Sequence, residues 1–171
     1  MEKYILKGKR EQIFFSFFLP QIILGFIPNF DSNVALIKTI LMSLTYLVWI
    51  FMLGRTLNAC IPRRNRLNET SQKIFLFVFV VIFVPMVMFA DIGIAFYGIG
   101  ILIPLLMLFS IVYLFYFASK ALVSAEQGKR TSFKDHASEM FQLLFGWVGI
   151  WFIQPRINEM YNQNKHVFED E

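Results

Sequence analysis

Glu126, Arg130, Asp135, His136 and Glu139 come closest to a reactive site in this chain. Carboxylates and an imidazole are the groups that general acid–base chemistry uses, and a guanidinium can hold a developing anion. At a membrane face such a set could act on a lipid. The same residues on a solvated loop do no chemistry, and that is the commoner fate of such a cluster. Little else in the chain supports catalysis. Proton coupling within a membrane needs ionisable groups at depth, and the first four apolar runs carry no Asp, Glu or His near their middles. His136 and His166 both lie in polar segments, which excludes a haem held inside the bilayer. Cys60 is the single cysteine, so neither an internal disulfide nor a cysteine metal cage can form. There is no Gly-rich phosphate loop, and Ser16, Thr45 and Ser110 have no base nearby in sequence. No catalytic residue, metal or cofactor is expected.

Three further groups of polar residues are candidates for contacts. Arg63, Arg64 and Arg66 form a basic cluster suited to lipid phosphate or to a protein partner, although setting membrane topology is role enough for it. Gln154, Arg156 and Asn158 stand where a short apolar run ends, able to cap open helix carbonyls or bind a lipid phosphate. Gln21, Thr39, Ser43 and Tyr46 fall within apolar runs. The four-residue spacing of Thr39 and Ser43 puts them on one helix face with Tyr46, for helix packing or for lining a pore.

The elements that must position these residues are membrane helices. Hydrophobic residues make up 57% of the chain and charged residues 16%, against roughly 25% charged in an ordinary soluble domain. Between Ile74 and Phe117 the only charge is Asp91. One crossing takes about 20 apolar residues, so this stretch is long enough for two, with a turn at the glycines around Asp91. The expected architecture is an all-α integral membrane domain over 1–171. It has four spans at about 12–28, 34–53, 74–90 and 99–118, a short re-entrant or interfacial helix at about 133–155, and a polar tail at 156–171. The apolar run 141–153 is too short for a standard crossing, although a fifth full span is the rival reading. Pro20 should kink the first span, the fourth helix can continue beyond Phe117 into the cytoplasm until Gly128 stops it, and Ser132 with Asp135 should cap the next one. Ala118, Ala121 and Ala125 share a face suited to close helix contact. The link 54–73 holds Arg55, Arg63, Arg64, Arg66 and Lys73 against Glu69 alone. The positive-inside rule then places that link, the N-terminus and the C-terminus in the cytoplasm.

The segment Trp147–Asn158, WVGIWFIQPRIN, resembles the closing signature of a family of small polytopic inner-membrane proteins of bacteria, of the form G-x-W-x-I-Q-P-R-I-N. Ala121, Leu122, Ala125 and Glu126 look like an upstream part of the same pattern. The resemblance covers the last quarter of the chain, with Val148 where the family has a proline. It implies a bacterial inner-membrane location and brings no activity with it.

The expected function is that of a non-enzymatic subunit or assembly partner of a membrane complex, with the bilayer and other membrane chains as partners and no nucleic acid. A small homo-oligomeric channel is the alternative, and a lipid-modifying enzyme built on Glu126–Glu139 the second alternative.

Overall fold

The computed structural model describes residues 9–26, 28, 32–88, 102–145 and 147–163. These residues form α1 (Arg10–Phe17), α2 (Leu19–Phe26), α3 (Ser32–Cys60), a 3-10 turn (Arg63–Asn65), α4 (Glu69–Met88), α5 (Leu102–Gln127), α6 (Phe133–Leu144) and α7 (Trp147–Gln163). No strand occurs among them. Three helices are long and apolar enough to cross a membrane: α3 over Asn33–Cys60, α4 over Glu69–Met86, and α5 over Leu102–Gln127. The turn expected around Asp91 lies outside the described residues.

The helix α5 is the one the others lean on, packing against α3, α4 and α6. Its two halves differ. From Leu114 to Ser124 most side chains are buried, whereas Leu102, Leu105, Leu108 and Phe109 are exposed. The other long helices repeat this division. Leu53 and Leu57 near the end of α3, and Ile61 just past it, are buried with Ile150, Ile153 and Ile157 of α7, while Ile37, Leu41, Phe77 and Val81 stay exposed. The buried core therefore sits toward the end marked by Cys60 and Gln127, and exposed apolar side chains dominate the other half.

Small residues permit the tight contacts in this core. Ala118 and Ala121 are fully buried, as their shared face predicts, and Ala125 packs at its edge. Gly54 of α3 faces Ala118. A Cβ on Gly54 would lie 2.6 Å from the Gln72 amide nitrogen and 3.4 Å from the Ala118 Cα. Gln72 of α4 is itself buried and donates to the Phe51 carbonyl at 3.0 Å, joining α4 to α3.

The long helices extend past the apolar runs at this polar end. α3 continues to Cys60, seven residues beyond the expected limit, because two side chains hold its last turn. Arg66 donates through Nε to the Ile61 carbonyl at 3.1 Å and through a terminal nitrogen to the Ala59 carbonyl at 2.9 Å. These are carbonyls that a helix end leaves open. Asn58, also buried, accepts from the Leu67 N–H at 2.7 Å and donates to the Leu67 carbonyl and to Glu69, each at 3.1 Å. That one side chain folds the loop 61–68 back onto α3. Asn58→Ala is expected to destabilise the protein by about 2 kcal/mol, since it leaves Leu67 unpaired in a half-buried loop. Thermal unfolding of the detergent-solubilised protein checks this.

The first apolar run is two eight-residue helices rather than one continuous one. The break falls at Phe18, just ahead of Pro20, so that the proline, with no N–H to donate, occupies the first turn of α2 where none is needed. Phe18 is buried edge-on against Tyr46 and Trp49, with ring centroids 6.0 and 5.9 Å away.

α6 and α7 form a hairpin that turns back on itself. α6 begins beside the end of α5, where the Ser124 and Thr131 hydroxyls lie 3.1 Å apart. It is capped as the sequence predicts. The Asp135 carboxylate accepts the Ser132 N–H at 2.8 Å and the Ser132 hydroxyl at 2.9 Å. Gly128 ends α5 with a φ of +64°, the left-handed conformation a glycine adopts without strain. α6 then runs along α5 until the Leu143 carbonyl accepts the Tyr46 hydroxyl at 2.8 Å. Tyr46 is halfway along α3. α7 returns, and by Arg156 it is again beside Glu126. At 1.5 Å per residue each arm is about 15 Å long. Gly149 allows the crossing, because a Cβ there would lie 2.8 Å from the Gln142 carbonyl carbon and 3.3 Å from the Leu143 Cα.

Candidate functional site

Three elements converge where this hairpin closes: the last turn of α5, the middle of α6 and the second half of α7. Each brings one charged residue. The Arg156 guanidinium donates to both oxygens of Glu126, from Nε at 2.8 Å and from a terminal nitrogen at 2.7 Å. Its other terminal nitrogen donates to Glu139 at 3.0 Å. The Glu126 contact is the parallel two-bond pairing that the planar guanidinium favours. The Glu126 hydrogen bonds hold Arg156 above its ordinary pKa against the effect of partial burial, and Glu139 adds to them. Both carboxylates are engaged by one permanent cation. The arrangement ties three helices together and offers no free acid–base pair.

The cluster expected over 126–139 thus divides. Glu126 and Glu139 meet, and they meet on Arg156. Asp135 is turned to its capping role, its carboxyl held below the usual range by the Ser132 backbone and hydroxyl, with Lys129 assisting. Arg130 is exposed. His136 points the other way, fully buried against α5.

The His136 imidazole lies edge-on to Tyr116 and to Phe133, with centroids 5.1 and 5.6 Å away. Neither ring nitrogen makes a hydrogen bond among the described residues. Burial pushes its pKa below the ordinary 6.5, against the opposing Ser132 backbone, and Lys120 lowers it further while Glu139 and Asp135 raise it. The consequence for stability has a definite sign. Above pH 6.5 the imidazole is neutral in both folded and unfolded chains and contributes no slope. Below 6.5 the unfolded chain takes up a proton that the folded chain refuses, so stability falls with pH until the folded value is passed. His136→Phe is expected to flatten the decline in unfolding temperature between pH 6.5 and 5, and an unchanged slope would count against a buried neutral imidazole.

The other candidate residues have these places. Arg66 caps α3, while Arg63 and Arg64 are exposed on the 3-10 turn, with no ion pair among the described residues. Gln154 is buried and donates to Asn158 one turn further on at 3.1 Å. Asn158 borders a shallow cleft with Pro155, Lys9 and Glu11, so the start of α1 lies against α7. Gln21 donates to the Met42 carbonyl at 3.4 Å, joining α2 to α3. Thr39, Ser43 and Tyr46 do not act as one face. Thr39 is exposed and bonds the Ala35 carbonyl of its own helix at 2.9 Å, Ser43 is half-buried, and Tyr46 turns inward to Leu143.

Two participants were not singled out from the sequence. Gln72 and Asn58 were legible only as polar residues near helix ends, and their partners come from neighbouring elements. No three His, Cys, Asp or Glu side chains among the described residues converge to hold a metal. No protein-family model matches the chain, and no curated protein or solved structure matches it either. What stands is that the described residues are all-helical, with three helices among them long and apolar enough to cross a membrane.

Proposed function

We propose that the protein is a non-enzymatic, polytopic protein of a bacterial inner membrane, acting as a subunit or assembly partner of a membrane complex. The observation that carries this reading is the Glu126–Arg156–Glu139 clamp. The carboxylates that could have served acid–base chemistry are bound to a guanidinium that never gives up its proton, and Gln21, Tyr46 and Gln72 each join one helix to another.

The exposed apolar halves of α3, α4 and α5 face lipid in this reading. α1 and α2 supply a fourth, broken crossing. Lys9 lies by Pro155 and Asn158 at the polar end, and the Lys38 ammonium reaches the Gly25 carbonyl at 3.4 Å toward the other, so the pair runs the length of the bundle. The α6–α7 hairpin enters the bilayer from the cytoplasmic face and returns to it, leaving both termini inside by the positive-inside rule. Backbone at membrane depth is tolerated where protein covers it, and Tyr46 meets the Leu143 carbonyl near the hairpin tip. Glu126 and Arg156, which come from the two separated parts of the family resemblance, are bonded to each other.

The test is native mass spectrometry of the tagged protein extracted from its own host in mild detergent. Stoichiometric foreign polypeptides are expected. A species built only of copies of this 20.1 kDa chain contradicts the subunit reading and favours the channel.

A further inference from the structure

The Asn65 side-chain amide donates to the Gly128 carbonyl at 2.9 Å, across 63 residues of chain. That bond pins the loop after α3 to the loop after α5. Arg63 and Arg64 lie just before it on one side, and Lys129 and Arg130 just after it on the other. All four side chains are exposed, and none forms an ion pair among the described residues. The acids nearby are engaged elsewhere: Glu69 with Asn58 and Lys73, Glu126 and Glu139 with Arg156, and Asp135, which feels Lys129, with Ser132. Four unmatched cations thus face one region, just past the ends of α3 and α5. Phe133, three residues beyond Arg130, is 57% exposed beside them. Cations next to an exposed aromatic ring suit the boundary between headgroups and acyl chains.

We propose that Arg63, Arg64, Lys129 and Arg130 form one composite site for the phosphate headgroup of an anionic membrane lipid, assembled by the Asn65–Gly128 hydrogen bond. The proposal rests on the membrane-embedded reading above. The occupant is a phosphodiester without a counter-charge, which four cations attract and a zwitterionic headgroup satisfies poorly. Each cation near an anionic headgroup strengthens binding by about fivefold. Arg66 is not part of the site, because its guanidinium is committed to α3.

The experiment is native mass spectrometry of the full-length protein in detergent, titrated separately with phosphatidylglycerol and phosphatidylcholine, alongside flotation of the chain with neutral vesicles. Phosphatidylglycerol should bind about tenfold or more tighter. Arg63→Gln with Arg64→Gln, and separately Lys129→Gln with Arg130→Gln, should each erase most of that preference. Asn65→Ala removes no charge, yet should weaken phosphatidylglycerol about fivefold, the worth of one ordinary hydrogen bond. Arg55→Gln with Lys73→Gln, which removes the same charge elsewhere, should leave the preference intact. Equal binding of the two lipids overturns the site. An Asn65→Ala protein with wild-type preference overturns its composite nature, and displacement of the lipid by millimolar inorganic phosphate reassigns it to a soluble anion. Failure to float with vesicles overturns the membrane reading and the site with it, whereas flotation with equal lipid binding overturns the site alone.

Discussion

Arg156→Gln is expected to lower the unfolding temperature of the purified protein by about 6–12 °C. The side chain is 35% exposed, and its partners Glu126 and Glu139 are 24% and 12% exposed. Breaking a fully buried ion pair by removing one partner costs about 3–5 kcal/mol, because the remaining charge is left uncompensated. Partial solvation here reduces that to about 3 kcal/mol, and each kcal/mol moves the midpoint of a chain this size by about 2–4 °C. The loss has a particular signature. Two like charges stay behind at the junction of three helices, so their mutual repulsion contributes to the damage. The triple variant Glu126→Gln, Arg156→Gln, Glu139→Gln should therefore be more stable than Arg156→Gln alone. Tryptophan fluorescence during heating reads both proteins. A triple variant less stable than the single one would show that the carboxylates are not held against each other.

Gly149→Ala should cost about 3 kcal/mol, opposite in sign to what helix propensity alone dictates. In the interior of an isolated helix the exchange gains about 1 kcal/mol. At this position the added methyl meets the Gln142 carbonyl and the Leu143 Cα, which are backbone and cannot rotate away. The two arms of the hairpin must part, and overpacking of this kind costs about 1–3 kcal/mol even where side chains can adjust. Parting them also draws the Leu143 carbonyl from Tyr46 and Arg156 from its carboxylates. Gly25→Ala provides the comparison, since nothing lies within 4 Å of its Cβ position and its φ is not positive. Measured by the same thermal unfolding, Gly25→Ala should be neutral or mildly stabilising. Equal effects at both positions would contradict the close crossing.

Local signals in the sequence were legible. The glycine stop at Gly128, the Ser132–Asp135 cap and the buried face of Ala118 and Ala121 each depend on residues within a few positions of one another, and each is found as expected. The apolar runs foretold the three long helices, but not their ends. α3 outlasts its apolar run because Asn58 and Arg66 hold the last turn, and α4 starts at Glu69, ahead of the expected 74, with the Asn68 side chain accepting the Thr70 N–H. The clamp was legible only as separate pieces. Glu126 and Glu139 belonged to one cluster and Arg156 to another, and only the return of the hairpin brings residues 30 and 17 positions apart into contact. The Tyr46 hydroxyl and the Leu143 carbonyl lie 97 positions apart, and no periodicity along the chain announces such a bond.

The most direct measurement is the sidedness of the two ends of the α6–α7 hairpin. With the single native cysteine removed as Cys60→Ser, Lys129→Cys and, separately, Asn162→Cys are introduced and labelled with a membrane-impermeant maleimide in sealed vesicles of each orientation. Both positions are expected to react from the same side, the one that faces the cytoplasm, because α7 returns to the end of the bundle from which α6 departs. Reaction of the two cysteines from opposite sides would mean that the segment crosses the bilayer outright, and the Arg156 clamp could not then close on Glu126.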